Sequence, residues 1–204
     1  PALLERLSQR LLELTGGPRD LPARQQTLRE TIAWSHGLLG EEERSLFHRL
    51  GVCAGSFTLD AVMAVAMAGD SAGADVLPAL GALLEQNLIH AADSTAGPRF
   101  ALLESIREFA GERLRESGEE EIIRARHAAF FLAVAERGRL RLEAANPSEA
   151  VTALEADHPD LRSALGWMTA REDADGAVRL VAALWPFWEW RGHVAEGSRW
   201  LEAA

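Results

Sequence analysis

Gly97-Pro98-Arg99-Phe100-Ala101-Leu102-Leu103-Glu104-Ser105-Ile106-Arg107-Glu108-Phe109-Ala110 decides how this chain is read. Its first half alternates like a strand, with Phe100 and Leu102 on one side and Ala101 and Leu103 on the other. Its second half takes helical spacing, with Ile106, Phe109, Ala110 and Leu114 on one stripe. The stretch is therefore a joint, with short helices and a hairpin before it and paired helices after it.

Working back from the joint, Leu88-Ile89-His90-Ala91-Ala92, a Gly-Pro turn and Arg99 to Leu103 make a two-stranded wing. Asp75 is placed to cap a helix reaching Gln86, with Val76, Leu77, Leu80, Leu83 and Leu84 as its apolar face. Thr58 caps an earlier helix that buries Leu59, Val62, Met63 and Ala66, and Gly55-Ser56-Phe57 is a short extended link. Glu41 to Leu50 forms a helix whose three leading glutamates suit the positive end of the helix dipole, with Leu46, Phe47 and Leu50 inward. Pro22 starts a helix carrying the stripe Leu28, Thr31, Ile32, Ser35, Leu38 and Leu39. The chain opens inside another helix, from Leu3 to Leu14, which Gly16-Gly17-Pro18 ends, as expected of a piece cut from something larger. Three helices and a hairpin in this order are the winged-helix arrangement, with Asp75–Gln86 in the recognition position.

Downstream, Ser105 to Glu116 is a helix closing at Ser117-Gly118, and a long helix runs from Glu119 to Leu142 on Ile123, His127, Phe130, Phe131 and Val134. Its arginines (Arg124, Arg126, Arg137, Arg139, Arg141) alternate with glutamates, the pattern of a solvated mixed face. Asn146-Pro147-Ser148-Glu149 starts a short helix, and His158-Pro159-Asp160 restarts the chain into a partner helix through Leu161, Leu165 and Met168. Ala177, Leu180, Val181, Leu184 and Trp188 make the next stripe, which Pro186 should kink, and Arg191-Gly192-His193 turns into a last helix. Paired helices with short turns build α-solenoids, and the last pair fits a tetratricopeptide pattern with Gly192 on the turn and Gly197 at the small site. The fold class expected is mainly α: a winged helix with a small two-stranded wing, then a tetratricopeptide-like solenoid. The expected divisions are residues 1–18 as a linker helix, 19–117 as the winged helix and 118–204 as the repeats. Trp185, Trp188, Trp190 and Trp200 cluster at the end, either as a partner-binding surface or as ordinary core and end-cap.

The 204 residues are 48% hydrophobic, an ordinary globular composition, and no apolar run approaches the roughly 20 residues that span a bilayer. The single cysteine, Cys53, sits in an apolar run and reads as a small core hydrophobe, and a lone thiol suits a reducing cytoplasm. The net charge is −10, and all 21 basic residues are arginine. Without lysine, the phosphate lysine of a P-loop and Schiff-base chemistry are excluded within this chain. Glu41 to Pro98 holds two basic residues (Arg44, Arg49) against eight acidic ones, a net −6 on the unit that would have to meet phosphates. A DNA-reading helix needs outward arginine, lysine, asparagine or glutamine, and Asp75–Gln86 has no arginine. These counts argue against direct DNA binding. The six histidines show no pair at metal-site spacing with a third ligand nearby, and no nucleophile elbow or glycine-rich phosphate loop is present, so neither a metal site nor an enzyme is expected.

Gly16-Gly17-Pro18-Arg19-Asp20-Leu21-Pro22-Ala23-Arg24-Gln25-Gln26-Thr27-Leu28-Arg29, followed by Ile32-Ala33-Trp34-Ser35, closely resembles a segment of bacterial STAND-class (NB-ARC-type) ATPase transcriptional regulators. Leu103 to Ala110, Glu155-Ala156-Asp157-His158-Pro159-Asp160-Leu161-Arg162 and Trp188 to His193 resemble further stretches of that family. The resemblance implies an order of parts: an ATPase domain holding ATP or ADP outside this chain, a helical segment, the winged helix, then sensor repeats for an inducer or protein partner. In related proteins the winged helix folds onto the nucleotide domain as a latch, and a Met-His-Asp motif after the wing reaches the nucleotide. Leu102-Leu103-Glu104 stands in that place here, with leucine where the histidine would be and Glu104 at the aspartate position. Arg19 and Arg24 are the candidates for contacts with that domain or its phosphates, or for plain helix-start salt bridges.

Overall fold

The structure, a computed structural model, describes residues 23–66, 76–143 and 147–203, with the side chains of 23–26 left out. The helix expected over Leu3–Leu14, the cap Asp75 and the cap Asn146 lie outside the described residues. Helices α1 (Ala23–Gly37), α2 (Glu41–Leu50), α3 (Leu59–Ala66) and α4 (Leu77–Glu85) lead to strands β1 (His90–Ala92) and β2 (Arg99–Ala101). Helices α5 (Glu104–Ser117), α6 (Glu120–Leu142), α7 (Ser148–Ala170), α8 (Ala174–Arg191) and α9 (Val194–Ala203) follow. This is the mainly helical winged-helix architecture expected from the sequence, with a helical array behind it.

Helix α2 matches its expected span. Glu41, Glu42 and Glu43 occupy its first turn and His48 and Arg49 its last, both favourable to the dipole. Gly40 N donates to Glu43 Oε2 at 2.6 Å, satisfying one donor at the helix start. Gly51 ends α2 against α5, where an added Cβ would lie 2.6 Å from Gly111 N and 2.8 Å from Ala110 C. Only glycine lets these two backbones meet. Thr58 caps α3 through Ala61 N at 3.2 Å.

The wing is antiparallel, in the register His90↔Ala101, Ala91↔Phe100 and Ala92↔Arg99. Phe57 adds a bridge on the outer side of β2, giving and receiving hydrogen bonds with Phe100 at 2.8 and 2.9 Å. The extended link is thus the wing's third edge, and Phe57 is fully buried beneath it. Gly118 then closes α5 in the left-handed conformation, φ 77°.

Three expectations are corrected. The stripe of α1 is only half buried: Ile32 and Leu39 face the core, while Leu28 and Leu38 are about half exposed. Met63 and Leu77, expected inward, are exposed. The proline at 159 does not restart the chain, because α7 runs unbroken through it from Ser148 to Ala170. Pro159 lacks an N–H for the i−4 carbonyl, but buried residues anchor the helix on both sides of it: Asp157 and His158 before, Asp160 and Leu161 after. Helix α8 likewise continues through Pro186.

One apolar core runs from Phe47, Phe57, Leu83 and Leu88 in the winged unit into Ile123, Phe131, Leu161, Phe187 and Trp188 in the array. Gly197 of α9 stands against Trp188, where a Cβ would lie 2.5 Å from the indole.

A paired imidazole closes the α1–α2 corner. His36 Nε2 and His48 Nε2 are 2.8 Å apart, and the rings stack at 5.0 Å beside Phe47 and Phe109. One nitrogen must donate and the other accept, so a second proton would set two cations in contact. Burial, reinforced by His36, Arg113 and Arg44 and opposed by Glu119, holds His48 down to about 4 from 6.5. Burial lowers His36 too. Between those pH values the unfolded chain binds more protons than the folded one, so stability rises with pH across the window. Thermal unfolding is therefore expected at its full midpoint above pH 6.5 and at a falling midpoint down to pH 4. His48→Gln should flatten part of that slope; an unchanged slope in the variant would remove the pair as its cause.

Candidate functional site

Among the described residues, the surface a winged helix would offer to DNA exposes no arginine. Helix α4 exposes Leu77, Pro78 and Glu85, and the wing exposes His90, Ala91, Asp93 and Thr95. The wing's only arginine, Arg99, is 3% exposed. Among the described side chains the remaining arginines of the unit are engaged, Arg29 with Glu112. Arg44 donates to the carbonyls of His36 and Gly37, and Arg49 grips Glu119 through Nε and Nη2 at 3.0 and 2.9 Å. Arg107, Arg113 and Arg115 pair with Glu104, Glu116 and Glu120.

Arg99 is the wing's half of a buried seam with α7. Its Nε donates to Ser56 Oγ at 2.8 Å, and its Nη2 donates to the Ser56 carbonyl, to the Ala156 carbonyl at 3.4 Å and to Asp157 Oδ1 at 2.5 Å. Burial pushes the Asp157 carboxyl above the usual aspartate range, and the Arg99 guanidinium pulls against it. One turn along α7, Asp160 is fully buried. It accepts from Ala54 N at 2.7 Å and Gly55 N at 3.1 Å, and lies 2.8 Å from His127 Nε2 of α6. Gly55 packs so closely on Pro159 that a Cβ would stand 3.1 Å from the ring. Two acids three residues apart thus tie β2, the Gly55 link and α6 to a single helix face.

Behind the seam, His158 lies between the Trp188 indole N–H, at 3.4 Å from its Nε2, and Glu196 Oε1, also at 3.4 Å. Burial lowers its proton affinity, with Glu196 opposing. Glu196 also receives both Nε and Nη2 of Arg162 and, at 3.4 Å, the Trp200 indole N–H. A groove of about 610 Å³ opens beside this cluster, between wing residues Asp93–Thr95 and Thr152, Glu155 and Arg191.

The residues singled out from the sequence are dispersed. Arg19 lies outside the described residues, as does the side chain of Arg24. Glu104 is exposed in the first turn of α5, paired with Arg107 at 3.0 Å through Nε, beside an exposed Leu103. Of the four tryptophans, Trp188 is core at 1% exposure, so it cannot itself meet a partner. Trp185 and Trp200 pack partly against the core, and Trp190 is 63% exposed. The seam residues Arg99, His127, Asp157 and Asp160 were not singled out. The signal for the two acids is a pair of aspartates flanking His-Pro in a helical stretch.

Two residue groups have the donor atoms of a metal centre. Cys53, His127 and Asp160 lie together, all buried. Burial pushes the Cys53 thiol well up, which keeps the proton on sulfur, and both oxygens of Asp160 already serve N–H donors. Metal ligation needs a thiolate and a free oxygen, so this cluster fits a polar core. The second group is Glu155, His158 and His193. No helix among the described residues is long and apolar enough to cross a membrane.

Residues 39–115 match the winged helix-turn-helix domain family. A Mycobacterium tuberculosis protein provisionally named an HTH-type transcriptional regulator is 38% identical over 191 residues, which is 93% of this chain and 21% of that protein. A Mycobacterium bovis protein of the same provisional naming matches at the same 38% over 191 residues. An uncharacterised M. tuberculosis protein is 36% identical over 126 residues, covering 61% of this chain and 32% of its own length. No solved structure matches. The chain spans about a fifth (21%) of the length of the two regulator relatives.

Proposed function

We propose that this chain is a non-catalytic regulatory part of a transcriptional regulator, in which the winged helix acts as a packing latch and the helical array as a sensor surface. The carrying observation is the burial of Arg99 against Asp157: the wing spends its only cation on the protein's own helix. The naming of the relatives supports the regulatory class, and the resemblance to STAND-class regulators supports an ATP- or ADP-holding domain elsewhere in the parent protein. The described residues do not fit a nucleotide site themselves, since the chain has no lysine and Glu104 is taken by Arg107. On this reading Trp190 and the exposed Val194 and Leu201 belong to the face that meets an inducer, a protein partner or a further tetratricopeptide-like repeat. A latch must be a two-state packing, shifted only by a ligand that binds the two states with different affinity.

A second reading, DNA recognition by the winged helix, is favoured by the family match over residues 39–115. Fluorescence anisotropy with a generic labelled duplex at low salt separates the two. The latch reading expects no saturable binding. Tight binding that weakens steeply with added salt is the signature of phosphate neutralisation and would overturn it.

A further inference from the structure

We propose that Glu155, His158 and His193 form a binding site for a divalent transition-metal ion of the zinc class, at the mouth of the groove between the wing and the helical array. Glu155 and His158 stand at positions i and i+3 of α7, which sets both on one face. His193 arrives from the turn between α8 and α9, fixed by Gly192 in the left-handed conformation at φ 74°. One ligand atom from each of the three lies within 4.8 Å of the others. Two imidazoles and one carboxylate are a donor set that zinc-class ions take with three protein ligands and one further position. Ligand atoms at zinc bond lengths of about 2.0–2.2 Å lie about 3.4 Å apart, so binding requires the three side chains to close on one point and the stacked His158 and His193 rings, 5.2 Å apart, to turn toward it.

Three further observations point to a ligand. Nε2 of His193 is buried and has no hydrogen-bond partner, which is costly for an imidazole nitrogen unless something completes it. Nε2 of His158 lies 3.4 Å from both Glu196 Oε1 and the Trp188 indole nitrogen. For Nδ1 to ligate, Nε2 must carry the proton and donate it to Glu196, so that Glu196 orients the ring from behind and the Trp188 N–H gives up its contact with that nitrogen. Glu155 receives Arg191 Nε on Oε2 at 2.6 Å, so Oε1 remains for the ion while the guanidinium fixes the carboxylate. Glu155 and Arg191 line the groove, which opens this carboxylate to solvent. Counting histidine pairs in the sequence missed the site, because only one histidine is on α7 and the second comes from 35 residues later. The ion would join α7 to the α8–α9 turn. This assignment stands independently of the latch.

The test uses the whole chain freed of metal by a chelator. Zn2+ is titrated by calorimetry, and Co2+ is followed by its visible d–d absorption and by quenching of tryptophan fluorescence, for which Trp188 is well placed. One equivalent should bind with micromolar or tighter affinity. Each of His193→Ala and Glu155→Gln should weaken binding at least about 10-fold, and His48→Gln should leave it unchanged. Circular dichroism checks that the variants fold. Glu155 is only partly buried and its glutamine keeps the shape, so that variant remains decisive if His193→Ala is destabilised. Absence of saturable binding below millimolar Zn2+, unchanged binding in Glu155→Gln, or loss of binding in His48→Gln would each overturn the assignment.

Discussion

Replacing Asp160 with alanine is expected to cost about 3 kcal/mol or more of folding stability. The carboxylate is fully buried and serves three donors from two distant parts of the chain. Ala54 lies at the surface, where its N–H can recover water, but His127 is 3% exposed and is left with an unmet ring nitrogen. At the usual sensitivity of about 2–4 °C per kcal/mol for a chain of this size, the melting midpoint should fall by roughly 10 °C. Asp160→Asn keeps the shape and one acceptor oxygen, so it should lose clearly less. Urea unfolding of the three proteins measures both differences. If Asp160→Ala unfolds within about 0.5 kcal/mol of the natural chain, the seam is not anchored where the geometry puts it.

Asp160 is visible in the sequence, but its partners are not. In sequence Asp160 marks the start of a helix, because His-Pro-Asp has the composition of a boundary and proline is a strong local signal. What overrides the local signal is tertiary. Ala54 and Gly55 are 106 and 105 residues away, and no periodicity within α7 refers to them. The wing, by contrast, was legible, because its alternation, its Gly-Pro turn and the switch to helical spacing after Leu103 are all local patterns. Helix α2 was legible for the same reason: its three glutamates and its apolar stripe lie within ten residues.

The tryptophans divide along that line too. Trp188 lies on the stripe of α8 that the apolar spacing predicts, and Gly197 packs beneath its indole. Whether a tryptophan on such a stripe faces a partner or the core depends on which neighbour comes back over it. Here α9 returns over Trp188 and leaves Trp190, two residues on, in solvent. A count of residues showed that the winged unit is acidic, but it could not show that Arg99 is turned inward.

That inward turn is the basis of the second large effect. Arg99 has a side chain 2% exposed, and its partner Asp157 is 12% exposed. Asp157→Ala strands a guanidinium that cannot release its proton, and the loss of one partner from such a buried pair costs about 3–5 kcal/mol. Arg99→Met strands a carboxyl that burial already pushes toward its neutral form, so its cost should be smaller at low pH than at neutral pH. Replacing both, with Arg99→Met and Asp157→Leu, removes the two desolvated charges together and should be close to neutral. A double-mutant cycle on urea unfolding should give a coupling of about 1–3 kcal/mol. Hydrogen exchange adds a readout specific to the wing: in Asp157→Ala the amides of 99–101 should exchange faster relative to those around Trp188. Additive single costs, or exchange that quickens uniformly along the chain, would mean that the wing is held by its apolar contacts through Phe57 and Phe100 and that the ion pair is incidental. Coupling confined to the wing would instead make Asp157 the point at which the helical array controls the winged helix, since a change that moves α7 by the length of one hydrogen bond breaks that contact first.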